Sequence, residues 1–458
     1  MTSERIEKKA RELGGHSIFR LLFRYSLPTT IGFFVFSIYN IVDRMFIGRY
    51  GGSAALAGVS ITFPLFMIVI AIGMLIGVGG GTLTSLRLGE KKYEQAEKIL
   101  GNVIALFLLL GLGLTLAGQA FLDPLLLLFG ASPDTLPYAH AYMRILMSVI
   151  VFDFLAMGTN GMLQAEGNPV ISMLILSSGA VINVGMDYVL IVRAGLGVEG
   201  AALATGISKL ISAGWMLLHF TKGPRRVLTL RGRNLRIHPA LTRSMFYIGL
   251  SPFTLQFINS FFITFTNRFL LRYGGDVAVG AMGIIHSIIM LLMMPVIGLT
   301  RGGQPIIGFN YGARNWERVR QALRTCLIGA VLVGLTGLAL TQIFSLPLAG
   351  IFTRDPVLLN TAARGMRLML LMFPVGAFQI IVANYFQTTG RPLASISLHL
   401  LRMVLIYLPL LVVFSRRWGL DGVWLTMPAS DLLAGLIGVI VILCEDRRLR
   451  RDQVLSLA

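Results

Sequence analysis

The chain has 458 residues, 55% of them hydrophobic and 13% charged, with a formal net charge of +19. An ordinary soluble domain carries about 25% charged residues, so this chain lacks the polar surface to cover its apolar residues in water. Its Lys and Arg sit in short connections between apolar runs, which points to membrane topology and away from nucleic acid as a partner.

The segment Met1 to Arg24 is polar and basic, and the apolar run after it is too long for a signal h-region, so no cleavable signal peptide is expected. Twelve apolar runs come next, most about 20 residues long, the length that crosses a bilayer. In the first half they cover 26–48, 56–86, 99–121, 138–164, 170–192 and 201–220. The first run holds Pro28, which removes a backbone donor and kinks a helix, and Asp43. The fourth holds Asp153. The fifth holds Asn183 and Asp187, four apart and so on one helix face. The sixth holds Thr205 and Lys209.

A basic segment at 222–243 then separates the halves. The second six runs cover 246–269, 278–309, 321–344, 360–386, 393–414 and 423–443. Phe253, Phe257, Phe261 and Phe265 form an i, i+4 stripe on the seventh run; Met290, Met293 and Met294 lie on the eighth. Such residues suit an adaptable drug-binding wall, with Phe253, Phe257, Met290 and Met293 as candidates. Every apolar helix shows such stripes, however, and lipid-facing bulk is the preferred reading. The tenth run has no acid; the eleventh holds Arg402 and the twelfth Asp431.

Alternate connections, with the N-terminus and the C-terminal tail, carry 26 Lys and Arg; the others carry six. The positive-inside rule therefore places both termini in the cytoplasm, and an even number of spans agrees. Cys326 and Cys444 fall at predicted cytoplasmic helix ends, where thiols stay reduced. The six histidines have no ligand spacing. No phosphate-binding loop, nucleophile elbow or metalloprotease motif occurs, so no cofactor and no enzymatic site are expected.

The halves repeat at one offset. Arg49-Tyr50-Gly51-Gly52 recurs as Arg272-Tyr273-Gly274-Gly275, Gly79-Gly80 as Gly302-Gly303, and Gln164, Gly167 and Pro169 as Gln387, Gly390 and Pro392, each 223 residues later. Six spans per copy make a parallel repeat about an axis along the membrane normal. The expected organisation is a six-helix lobe at 1–221, a cytoplasmic linker at 222–243 and a second lobe with a cytoplasmic tail at 244–458.

Acids inside spans are costly and functional by default, at about 2.5–3.5 kcal/mol for an unpaired charge. Asp43 aligns with Thr266, Asp187 with Leu410 and Asp153 with Gly376, while Asp431 maps beside Lys209, so the acids lie outside the shared scaffold. Asp43 lies six residues before Arg49, Asp187 six before Arg193, and Thr205 five after Gly200. At about 1.5 Å per residue these share one depth in the outer half. Two carboxylates, one amide and one hydroxyl can converge there as hard oxygen ligands suited to Na+, and a carboxylate pair also suits proton capture. The structural alternative pairs Asp43 with an arginine such as Arg44. Asp153 and Asp431 match no polar cluster in depth and are further candidates, either as functional acids or as partners of Lys209 or Arg402.

The chain resembles the MATE family of multidrug extruders, in the larger multidrug, oligosaccharide-lipid and polysaccharide exporter superfamily, and in particular its MepA/DinF-like subgroup. The resemblance rests on Pro28, Val42 to Gly48, Gln164 to Pro169, Ile182-Asn183, Asp187 and Gly200 to Thr205. It implies an all-α polytopic membrane protein, with twelve transmembrane helices in two pseudo-symmetric six-helix bundles around a central cavity. It further implies a monomer in the inner or plasma membrane, exporting mostly cationic organic drugs in exchange for inward H+ or Na+. Asp43, Asn183, Asp187 and Thr205 match the family's N-lobe cation site, and the family suggests that helix 1 bends at Pro28. Coupling through acids of helices 7 and 10, used elsewhere in the family, has no matching residues here. The alternatives are a lipid-linked oligosaccharide flippase, with Arg268, Arg301, Arg364, Arg367 and Arg402 to hold pyrophosphate, and a membrane-embedded transferase, for which no catalytic cluster is found.

Overall fold

A computed structural model describes residues 12–129, 131–224 and 226–457; Met1–Arg11, Gly130, Arg225 and Ala458 lie outside them. So do the side chains at 40, 44, 51–54, 56, 57, 64, 260, 261, 264, 456 and 457, those of Arg44 and Phe261 among them. Among the described residues every regular element is helical. An apolar chain in hydrocarbon must pair its backbone polar groups within each segment, which a helix does.

The first half has α1 (Ile18–Tyr50), α2 (Gly58–Gly89), α3 (Tyr93–Ala120), α4 (Leu136–Ser148 with Ile150–Ala165, bent by 59°), α5 (Pro169–Arg193) and α6 (Gly197–Lys222). In the second half, Pro239–Gly312 is broken at Gly275 (φ 62°) into α7 (239–274) and α8 (276–312). Next come α9 (Trp316–Ile343) and α10 (Pro356–Met369 with Phe373–Thr388, bent by 55°). The stretch Pro392–Leu455 is broken at Gly419 (φ 57°) into α11 (392–418) and α12 (420–455). Gly275 and Gly419 adopt the left-handed conformation that glycine takes at no steric cost, and so divide two long apolar stretches into four spans. The bends of α4 and α10 fall at Val149 and at 370–372, equivalent places in the repeat.

The chain divides into two compact units. One comprises 31–253 and the other takes in Thr254 onward together with His16–Thr30. The segments 16–30 and 239–253 are equivalents at the 223 offset, so each unit includes the opening half-helix of the other repeat. Glycine makes the seams. In the first unit a Cβ on Gly79 would collide with the Met245 carbonyl, and one on Gly249 with that of Leu75. In the second, Cβ atoms on Gly302 and Gly298 would collide with Ser26 and Thr30. Such close approach at small residues is how membrane helices associate when lipid supplies no hydrophobic drive.

At the basic end of the first unit, the linker is pinned by buried polar groups. Glu166, on the α4–α5 connection, accepts from the Val227 and Leu228 backbone N–H groups (3.0 Å each) and from Asn168 Nδ2 (2.7 Å), and pairs with His219 Nε2 at 2.5 Å. Asn102 of α3 accepts from the His238 N–H at 2.9 Å. In the second unit Glu445 pairs with Arg391 at 2.5 Å and accepts from Tyr385 Oη at 3.0 Å. Trp424, Tyr407, Ile285 and Met366 are buried in that unit's apolar core.

The glycine seams can be separated from generic helix effects. Gly79→Ala and Gly302→Ala should destabilise by about 1–3 kcal/mol through overpacking. Gly113→Ala and Gly214→Ala, where a Cβ meets nothing within 4 Å, should be neutral or gain about 0.5–1 kcal/mol. Thermal unfolding in detergent reads the difference, and equal shifts at all four positions would show that the seams are not tight.

Candidate cation site

The site candidates sit on α1, α5 and α6 of the first unit. α5 runs as α-helix to Asp187 and continues as a π-helix over Tyr188–Arg193. Single π turns recur at functional positions because the extra residue re-aims the side chains beyond it. Gly200 lets the start of α6 pack against Leu190 and Ile191 of that turn, a Cβ there lying 3.0 Å from the Leu190 backbone. This contact sets the height of Thr205 against α5.

Asn183 Nδ2 donates to Thr205 Oγ1 at 3.2 Å. Asn183 and Asp187 are fully buried, with 0% exposure, and Asp43 is at 7%. Asp43 and Asp187 lie close enough for their charges to repel. Neither oxygen of Asp187 nor Oδ1 of Asn183 has a hydrogen-bond partner. Buried polar atoms are ordinarily satisfied, so a cluster of orphaned oxygens is complementary to a small cation or a proton. The donor set is hard oxygen throughout. Among the described residues no group of three or more His, Cys, Asp or Glu is assembled.

Asp153 lies elsewhere on the same unit, at the junction where α4 turns into the π-helix Phe154–Gly158. Lys209 Nζ of α6 sits 2.6 Å from Asp153 Oδ1 and 5.6 Å from the centroid of the Phe36 ring of α1. Asp431 belongs to the second unit and binds Arg402 Nε at 2.7 Å; Ser430 Oγ caps the Arg402 carbonyl at 2.8 Å. Arg402 itself stands in a π-helix, Leu401–Ile406. Gly376, the equivalent of Asp153, leaves room for Asp431, whose Oδ2 would lie 2.9 Å from a Cβ there. The Asp153–Lys209 pair of the first unit and the Arg402–Asp431 pair of the second are thus built from different helices. Thr266, the equivalent of Asp43, is hydrogen-bonded to Tyr407 Oη at 2.9 Å. The second unit therefore places hydroxyls where the first places a carboxylate.

Pro28 lies in α1 two residues before Thr30, where α1 leaves the second unit for the first. Phe253 is half-buried and Met293 packs against the second unit's core, whereas Phe257 and Met290 are exposed. A cavity of about 450 Å³ is lined by Asp123, His140, Arg144 and Glu199 of the first unit. It includes none of the candidate residues and offers no orphaned acid, so the carboxylate layer is the better site on chemical grounds. The π turns and the Glu166 clamp escape sequence reading; the only signal for the clamp is an acid within the connection Gln164 to Pro169.

The family model MatE matches residues 28–189 and 252–413, once in each half. The multidrug export protein MepA of Staphylococcus haemolyticus (strain JCSC1435) is 26% identical over 437 residues, covering 95% of this chain and 96% of the relative. MepA of Staphylococcus aureus (strain MRSA252) is 27% identical over 435 residues, covering 94% and 95%. A multidrug resistance MATE family transporter of the MOP superfamily, solved in an outward-facing conformation, superposes with a TM-score of 0.91 at 24% identity over 96% of this chain and 98% of that one.

The Arg402–Asp431 pair can be tested for a structural role. Removing one partner of a buried pair leaves an uncompensated charge and costs about 3–5 kcal/mol. Arg402→Met should therefore lower thermal stability sharply, and the neutral double variant Arg402→Met with Asp431→Asn should recover most of the loss. No recovery would show that the two residues do not act as a pair.

Proposed function

Because the chain belongs to the MatE family, we propose that this multi-pass membrane transporter exports organic, mostly cationic drugs in exchange for inward H+ or Na+. The observation that carries the exchange is the layer of Asp43, Asn183, Asp187 and Thr205, with its orphaned buried oxygens in the first unit and no acidic equivalent in the second. The MepA relatives are named multidrug exporters, which supports the same class of cargo.

The physical logic is competition for charge. Two neighbouring carboxylates in a low-dielectric layer repel, and either a proton or Na+ relieves the repulsion. An organic cation near the layer is stabilised while the carboxylates are ionised and loses that stabilisation once they are filled. Coupling of this kind is reciprocal. One elementary charge crossing 100 mV supplies about 2.3 kcal/mol, enough for roughly a fifty-fold concentration ratio. Pro28, near the exchange point of α1, is the proposed hinge. Both termini and the linker are proposed to be cytoplasmic, with the membrane the inner or plasma membrane.

The flippase alternative needs arginines available for pyrophosphate. Arg402 and Arg364 are instead paired with Asp431 and Asp421, and Arg367 Nε donates to Ser345 Oγ at 2.6 Å. Three of the five arginines are thus already engaged, and exchange of organic cations remains the better reading.

Asp43→Asn and Asp187→Asn should each reduce gradient-driven efflux of a fluorescent cationic dye to the level of cells lacking the protein, with membrane abundance unchanged. Wild-type efflux in both variants would make the layer structural only. Reporter fusions after Ala458 and within 222–239 should both report cytoplasm, and a signal from the opposite side would invert the proposed direction of cation entry.

A further inference from the structure

The buried Asp153–Lys209 pair lies outside the cation layer and has a place of its own in the first unit. Lys209 comes four residues after Thr205 on α6, and Tyr39 precedes Asp43 by four on α1. On a helix, residues four apart share a face one turn, or about 6 Å, apart. Lys209 therefore stands one turn from Thr205, on the side away from Gly200, and its flexible four-carbon stem is of similar length. Its ammonium rests against the Asp153 carboxylate at 2.6 Å and over the Phe36 ring at 5.6 Å. A carboxylate with an aromatic face is the setting that recognises an organic cation. Here a cation tethered to the chain occupies it.

We infer that Lys209 is a mobile internal cation that carries the coupling between the cation layer and an organic-cation subsite formed by Asp153 and Phe36. The inference rests on the proposed exchange and specifies how its two halves communicate. While Asp43 and Asp187 are ionised, Lys209 is drawn one turn toward them and leaves Asp153 and the Phe36 face open to the organic cation. When H+ or Na+ fills the layer, that attraction is lost. Lys209 returns to Asp153 and displaces the cargo. No bond is made or broken; one ammonium moves between two anionic positions. The charged and titratable groups of this face are Tyr39 and Asp43 on α1, Asp153 on α4, Asp187 on α5 and Lys209 on α6.

The second unit supplies the contrast. Arg402 and Asp431 lie in the equivalent region, but Thr266 replaces the acid of α1 and Leu410 that of α5, so among the described residues Arg402 has no acid at either of those positions to move to. A pair with one resting place is static, whereas a pair beside two further carboxylates has an alternative.

The test is binding of tetraphenylphosphonium, a permanently charged aromatic cation, to the purified full-length protein across a range of pH and of Na+ concentration. In the wild type, affinity should fall by about tenfold or more as the coupling ion rises, within the usual range of site-to-site coupling. In Lys209→Met the affinity should stay high and change less than about twofold over the same range. In Asp153→Asn it should be weak throughout. Should Lys209→Met not fold, the neutral double variant Asp153→Asn with Lys209→Met removes both charges together and must also lose the ion dependence. A wild-type slope retained in either variant lacking Lys209 overturns the inference. A wild type whose affinity is indifferent to both ions overturns instead the exchange reading on which it rests.

Discussion

A carboxylate inside an apolar slab must find a counter-charge, a proton or a cation, because nothing else there stabilises it. That constraint sorts the acids of this protein. Asp431 answers it with Arg402 at 2.7 Å and Asp153 with Lys209 at 2.6 Å. Asp187 is fully buried with both oxygens lacking hydrogen bonds, and the charge that acts on it is another acid, Asp43. The first two satisfy the constraint from within the chain. Asp187, with neither oxygen hydrogen-bonded, leaves it to a proton or a cation from outside the chain.

Three of the buried charged residues share a backbone feature. Asp153 and Asp187 are each the last residue before a π turn, and Arg402 lies inside one. A π turn adds a residue to the helical circuit and rotates the remainder of the helix. It lets a polar side chain point into the bundle while the flanking apolar residues keep facing lipid. The repeat does not impose these turns, since they fall at different positions in the two halves. They accompany the charges and not the scaffold.

Much of this is legible in the sequence, and the reasons are specific. Arg49, Arg193 and Gly200 mark helix ends, so counting from them puts Asp43, Asp187 and Thr205 at one depth, and the Asn183–Thr205 hydrogen bond agrees with that count. The spacing of Asn183 and Asp187 needs only helical periodicity. Lys209 and Arg402 stand out as basic partners for Asp153 and Asp431, but not which with which, because depth alone does not say which helices pack together. The bend of α10 has a cue in Pro374, whereas α4 bends at Val149 without one. The π turns are not legible, because they preserve the apolar pattern on either side. The Glu166 clamp is hidden because its partners include the backbone amides of Val227 and Leu228, which no side-chain pattern encodes.

The exchange of half-helices bears on how such a chain could arise. Each unit is completed by fifteen residues from the other repeat, 16–30 in one case and 239–253 in the other. A protein made of one repeat alone would carry an opening segment with no seam of its own to fill, and a seam around Gly79 or Gly302 with nothing to occupy it. Two such chains exchanging their first half-helices would complete each other, as domain-swapped dimers do. On this account a single repeat would fold only as such a pair.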